Sequence, residues 1–481
     1  MKSLNMFKGL DTEEVMLIFI LGAGSFMLMS NLSSIAVALP HIQEDFDSSL
    51  STIKWVSIVG FIVAASLSLC FGRVGDIYGR RSVYRAGIGV YTVGAGLCTV
   101  APSLEALIAS RIVMAVGLGM ASPLSAAIIA ASVKPERRGQ VVGLLVSFAA
   151  AGQLMGPTLG GFILEISNWR GIFLFNFGLS LSLCLAQALF LRGADERRPG
   201  MLDVLGMLLL LGAYPALLIG LSLGPTHGWS ASSTLIWLSL ATLGFVAFAW
   251  REYSFAAPLV SFRLLQIPEL RLALFLLGIT AFVQNPITLY VPIYLQQALT
   301  LNAFDVGLLM MALPLSTLMS GPIGGRLADR YPPRLVAGAG IALLCIAVVA
   351  YGRMGIATAP LLILVPLVLT GAAGGLSRPA TQVAAFATVR PEDFGSVSAM
   401  QTSLMMLAGT LGTTVTVATS DSVSDGSGAA SFVSAQQTAF LALVPLLLVG
   451  LAVSVIGSLR RSKQAVEPLT LHGGVGGPEK A

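Results

Sequence analysis

The chain has 481 residues, 55% hydrophobic and 11% charged, with a mean hydropathy of +0.85 and a formal net charge of +5. Soluble domains carry about 25% charged residues, so this composition excludes an ordinary water-soluble globule and points to lipid as the main solvent. The positive charges fall into many small clusters between apolar runs, not into one basic stripe, which argues against a nucleic-acid partner.

Residues 1–14 mix Lys2 and Lys8 with Asp11, Glu13 and Glu14, and the apolar run behind them is too long for a cleaved signal. A helix crosses the hydrocarbon core with about 20 residues. Apolar runs of that size occur at 15–39, 53–71, 83–101, 104–131, 139–164 and 171–191. Two more follow at 203–223 and 233–250, and a last set at 271–297, 304–325, 335–352, 359–377, 395–419 and 437–458. The expected fold is an all-α membrane protein with 14 transmembrane helices. Nothing in the chain calls for a cofactor, a metal or an enzyme's nucleophile-base set. Cys70, Cys98, Cys184 and Cys345 all fall in or beside apolar runs and read as buried thiols.

The connection after the second run, Gly72-Arg73-Val74-Gly75-Asp76-Ile77-Tyr78-Gly79-Arg80-Arg81, returns 253 residues later as Gly325-Arg326-Leu327-Ala328-Asp329-Arg330-Tyr331-Pro332-Pro333-Arg334. A charged, turn-prone loop used twice between apolar runs is the trace of an internally repeated transporter. One span with its loop takes roughly 30 residues, so the copies stand about eight spans apart, whereas two halves of six would set them six apart. Runs seven and eight therefore read as an insertion. The division expected is 1–191 for one six-helix half, 192–270 for the two inserted helices and their linkers, 271–458 for the second half, and 459–481 for a disordered tail. Within the second linker, 258–265 is apolar enough to lie along the membrane surface.

With odd-to-even connections taken as outside, those loops and the spans, away from their cytoplasmic ends, hold only Lys54, Arg111, Arg170 and Arg353, and the other 24 of 28 Lys and Arg lie in the N-terminus, the even-to-odd loops with the span ends beside them, and the tail. The positive-inside rule then places both termini in the cytoplasm, in a cytoplasmic membrane.

Polar residues inside the runs are the candidate site. Arg111 is read as the only charged residue well inside a span, where it costs about 2.5–3.5 kcal/mol on the insertion scale. Counted from the outer ends, Asn31 lies roughly 12 Å deep and Arg111 roughly 10 Å, so a contact from Arg111 to Asn31 or Ser30 fits. Snorkelling outward and facing an anionic substrate group are the alternatives. Gln284 and Asn285 precede Pro286 in the ninth run, either to meet substrate or to satisfy freed backbone. Phe282, Tyr290 and Tyr294 on the same run suit an aromatic ligand or a lipid-facing surface, and Gln153 is a further cavity candidate. Gly152, Gly156 and Gly160 recur every four residues and permit close helix approach, with Pro157 bending the helix. Carboxylates are confined to span edges, at Glu105, Glu165, Asp203 and Asp305.

Several of these stretches carry a resemblance. The loop at 72–81 resembles the signature loop between the second and third helices of the major facilitator superfamily. Gly152-Gln-Leu-Met-Gly156-Pro157-Thr-Leu-Gly160-Gly161 is similar to the G-x-x-x-G-P-x-x-G-G motif of its antiporters, and Arg111 to Gly117 to its R-x-x-x-x-x-G motif. Ala38-Leu39-Pro40, Trp169-Arg170 and Tyr294-Leu295-Gln296 look like the fourteen-helix drug:proton antiporter branch. The resemblance implies a monomeric exporter of small molecules, coupled to protons, working by alternating access. It assigns the cytoplasmic gate to Gly72, Arg73, Asp76, Gly79, Arg80 and Arg81 and their counterparts Arg326, Asp329 and Arg334. The glycine motif would seal against the opposite half. That branch usually carries an Asp where this chain has Asn31, and an amide cannot release a proton; Glu165 is the best remaining coupling carboxylate. A metabolite uptake carrier and a non-transporting membrane sensor are the other readings.

Overall fold

The computed structural model describes residues 11–48, 55–190, 201–255, 262–301, 303–423 and 429–466. Among them there is no strand. The first six helices are α1 (Thr12–Asp45), α2 (Trp55–Tyr78), α3 (Arg80–Thr99), α4 (Leu104–Ser132), α5 (Arg138–Ile166) and α6 (Trp169–Phe190). Then come α7 (Val204–His227) and α8 (Ser232–Ser254). The rest are α9 (Pro268–Gln297), α10 (Ala303–Met310, resumed as Ala312–Arg330), α11 (Pro333–Tyr351), α12 (Leu364–Phe386), α13 (Phe394–Val423) and α14 (Ala429–Leu441, resumed as Val444–Val466). The breaks in α10 and α14 each precede a proline, Pro314 and Pro445, whose missing N–H leaves a carbonyl of the preceding turn without its helical donor.

Eleven spans among the described residues are long and apolar enough to cross a membrane; α2, α3 and α13 are not among them. Charge and hydroxyls explain two of these. The first turn of α3 carries Arg80 and Arg81, and α13 is studded with Ser and Thr along its length.

Apolar burial falls into separate cores. One draws on residues between Met16 and Cys184, a second on residues between Leu272 and Leu451. A third joins α7 and α8 to α2 and α13 through residues such as Leu210, Phe248, Cys70 and Met400. α7 and α8 are tied to each other by Arg251 to Asp203 at 3.0 Å, and to α13 by the Tyr214 hydroxyl donating to the Ser403 carbonyl at 2.7 Å. The pair packs beside the seam where α2 meets α13.

Two boundaries differ from the sequence reading. The apolar count ends the twelfth run at 377, but α12 continues to Phe386 and takes Arg378 with it. The segment expected as tail from 459 begins as helix, since α14 runs to Val466; the residues beyond lie outside the described residues. Of the expected surface-lying stretch 258–265, residues 258–261 are also outside them, and the rest is the short helix Phe262–Leu265. All four cysteines are free, with Cys70 and Cys98 buried and Cys184 and Cys345 half-buried.

Candidate functional site

Three layers of polar chemistry run through the bundle, beginning where α2 and α10 end. Gly79 joins α2 to α3 at a φ of 102°, a conformation only glycine adopts cheaply. This turn leaves Asp76 beside the first turn of α13. The Gly395 and Ser396 amides donate to its two oxygens at 3.1 and 2.8 Å, and the Ser396 hydroxyl donates at 2.6 Å. A carboxylate at a helix N-terminus is favoured by the orphan N–H groups and the dipole. Arg80 binds Asp76 at 2.8 Å and reaches on to the Pro391 and Glu392 carbonyls, both at 2.6 Å.

The second copy does the same in mirror fashion. Asp329, at the end of α10, accepts from the Gly139 and Gln140 amides of α5, each at 2.8 Å. Each loop aspartate therefore caps the fifth helix of the opposite half. Glycine permits the approach: a Cβ on Gly139 or Gly325 would overlap the other's carbonyl oxygen, and one on Gly72 would strike Ala399. Arg138 of α5 lies 5.0 Å from the Phe394 ring at the start of α13, so the two capped helix ends also touch each other. Of the remaining loop residues, Arg81 donates to Ser132 at 3.3 Å, Arg73 is half-buried, Arg326 is exposed, and the Arg334 carbonyl accepts from Ser454 at 2.6 Å.

The second layer is the Arg111 pocket. Arg111 is 3% exposed and donates to the Asn31 side-chain oxygen at 2.9 Å, to the Val56 carbonyl at 3.0 Å and to the Met114 sulfur at 3.6 Å. Gly60 leaves room for the guanidinium, which would crowd any Cβ there. Ser30 is buried nearby on α1. The charge does not snorkel; it is walled in by α1, α2 and α4.

The third layer is a cavity of about 440 Å³ between the halves, lined from α1, α4 and α5 on one side and α9, α10, α12 and α13 on the other. Gln153, Gln284 and Asn285 line it. Ser30, Asn31 and Arg111 do not, because they are buried within the first half. Nor do Phe282, Tyr290 and Tyr294. Phe282 packs against the second half's core. Tyr290 stacks with Phe432 at 6.3 Å, and the Tyr294 hydroxyl donates to the Gly355 carbonyl at 2.7 Å. These aromatics turn toward α13, α14 and the α11–α12 connection, so they belong to packing and not to the cavity wall.

The glycine motif is also corrected. A Cβ at Gly152, Gly156 or Gly160 would meet Phe26, Ser30 and Ser33, or Ser34, all on α1 of the same half, while Gly161 faces open space. The close contact with α10 is made earlier in α5, by Gly139 and Gly143 against Gly325 and Gly321. Pro157 and Glu165 are exposed, Glu165 at the far end of α5 from the capped aspartates.

The sequence reading missed Arg378. It lines the cavity from α12 and donates to the Gln284 side-chain oxygen at 3.3 Å, while Gln284 donates to the Thr370 carbonyl at 2.9 Å. Under the 253-residue offset Gln284 is the counterpart of Asn31, so each half pairs an amide of its first helix with an arginine of its fourth. The same offset carries Arg111 to Leu364 and not to Arg378, so the repeat did not announce this arginine, and the span boundary at 377 left it outside the run.

The family model of the Major Facilitator Superfamily matches residues 21–283 and 270–473. The chain belongs to that superfamily. Its members are membrane transporters, and this chain is a multi-pass transporter of that kind, not an enzyme. It is 25% identical over 404 residues to the riboflavin transporter RibZ of Clostridioides difficile (strain 630), covering 83% of this chain and 87% of that one. It is 25% identical over 404 residues to the multidrug resistance protein Stp of Mycobacterium tuberculosis (strain CDC 1551 / Oshkosh), covering 84% of this chain and 75% of that one. Its fold matches the crystal structure of the human organic anion transporter MFSD10 (TETRAN) with a TM-score of 0.66 over 92% of this chain and 100% of that one, at 17% identity.

Proposed function

We propose that the chain is a fourteen-span exporter of apolar or amphipathic small molecules, working by alternating access in the cytoplasmic membrane with both termini in the cytoplasm. The observation that carries this is the pair of reciprocal aspartate caps. They close one end of the seam between the halves, directly beneath a cavity that both halves line. Hydrogen bonds from helix-end amides are reversible, so such a closure suits a gate better than an apolar weld would. On this reading the closed end faces the cytoplasm, the side to which the positive-inside rule assigns the charged loops. The likeness to a protein named for multidrug resistance supports export. Cells overproducing the chain should retain less of an uncharged lipophilic dye such as Nile red than cells producing Asp76→Asn; equal retention contradicts the reading.

Proton coupling is part of the proposal, with Glu165 as its carboxylate, since Asn31 cannot titrate. An imposed pH gradient in proteoliposomes should accelerate transport in the native chain and not in Glu165→Gln; an unchanged response in the variant removes Glu165. A second reading, uptake of a metabolite, is favoured by the likeness to a riboflavin transporter. Right-side-out vesicles that accumulate substrate instead of losing it would establish uptake.

A further inference from the structure

We propose that Arg378 makes the central cavity a site for an amphipathic organic anion: an apolar, ring-sized frame bearing one carboxylate or sulfonate. The inference rests on the cavity being the transport site. Among the described residues lining it, Arg378 is the one charged side chain; every other polar group there is a neutral amide or hydroxyl. The arginine carries five N–H donors and spends one on Gln284 at 3.3 Å. Gln284 is itself fixed by the Thr370 carbonyl, so it holds the guanidinium by one edge and leaves the remaining donors for a ligand or for water.

The contrast with Arg111 makes the point. That arginine has an amide oxygen, a backbone carbonyl and a thioether around it, and it lies outside the cavity wall. Its charge is solvated by the protein. Arg378 is not solvated in this way, and a cation with no carboxylate beside it in a low-dielectric pocket attracts an anion and repels a second cation. A planar guanidinium also matches the two oxygens of a carboxylate or sulfonate.

The rest of the wall fits the remainder of such a molecule. Val142, Leu145, Val146 and Met405 give apolar contact for a frame. Ser122 Oγ and Gln401 Oε1 are buried on the same wall without a hydrogen-bond partner among the described residues, ready for one further polar group. A volume of about 440 Å³ accommodates a small drug-sized molecule.

The test uses three probes on one frame: 1-naphthylacetate, its neutral isostere 1-naphthylacetamide, and 1-naphthylmethylammonium. Binding of each to the full-length chain in lipid nanodiscs is measured for the native protein, Arg378→Gln and Arg378→Lys, with each variant first shown to be monodisperse. The expected result is that acetate binds at least tenfold more tightly than acetamide, with ammonium weakest. Arg378→Gln should bring the acetate:acetamide ratio close to one, and Arg378→Lys should keep most of it. A purely structural Arg378 would weaken all three probes together and leave the ratio intact, which overturns the proposal. So does equal or stronger binding of the amide or the ammonium by the native chain, and so does binding of none of the three. The dye-retention assay judges export separately, since its dye is uncharged: export of Nile red with no preference for acetate would sink the anion site and leave the exporter standing.

Discussion

The two gate loops share five residues at a spacing of 253, yet they close with unequal equipment. Asp76 collects two backbone amides, the Ser396 hydroxyl and Arg80. Asp329 collects only two backbone amides among the described residues. The difference traces to sequence: the position that is Arg80 in the first copy is Pro333 in the second, and the cap position filled by Ser396 on α13 is filled by Gln140 on α5. What survives in both copies is an aspartate, a glycine amide and the amide after it. The minimal closing device is therefore a carboxylate on the opposing helix end, and the arginine is an addition to it.

That comparison can be broken in several places. The largest effect is expected from Gly325→Ala, because the new Cβ would fall on the Gly139 carbonyl with backbone on both sides and nothing able to yield. Transport should drop more than tenfold, and a cysteine placed at Tyr331 should become more reactive; normal transport would show that α5 and α10 need not touch. Asp76→Asn comes next. It removes a charge that binds a helix end and an arginine, weakening the closed state by about 1–3 kcal/mol, so dye efflux should fall roughly tenfold. Asp329→Asn removes only the helix-end charge, worth about 0.3–1 kcal/mol, and should cost a few-fold. If the order of these two is reversed, the reading of Arg80 as an addition is wrong.

The smallest effect concerns a clasp at the opposite end of the first half. The Trp169 indole donates to Asp45 at 3.0 Å and Arg170 donates at 2.8 Å. The Trp169 bond first, then Arg170, hold the Asp45 carboxyl below its ordinary range. Because that value is lowered on folding, the contribution is complete above the unfolded value of about 3.9 and is lost as pH falls through the lowered one. Melting of the purified chain should show no step from Asp45 between about pH 5 and 8, and Asp45→Asn should cost under about 1 kcal/mol for so exposed a pair. A transport pH profile in that window that changes in Asp45→Asn would contradict this.

Much of the bundle was legible because bilayer thickness forces helix length, and the repeated loop marked corresponding positions. The amide-arginine pairing in the first half was also readable, since Asn31 and Arg111 were the polar groups at matching depth. Arg378 was not, for a physical reason: a hydropathy count treats arginine as a span's end, while α12 carries its arginine into a polar cavity and continues. The aromatics of α9 were misplaced because that helix is apolar on nearly every face, so composition does not phase it; only packing shows Tyr290 and Tyr294 turned toward the core. The glycine motif in α5 announced a close approach without naming its partner, and the partner is α1.

The most direct measurement places spin labels at Glu136 and Tyr331 beside the capped end, and at Ser167 and Leu361 at the other, all exposed positions. Pulsed-resonance distances are then recorded in lipid with and without a transported dye. Alternating access predicts two populations whose distances change in opposite senses at the two ends, with Asp76→Asn plus Asp329→Asn shifting the balance toward a long first distance and a short second one. A single distance at each end that ignores both ligand and substitution, or two ends that lengthen together, would contradict the account.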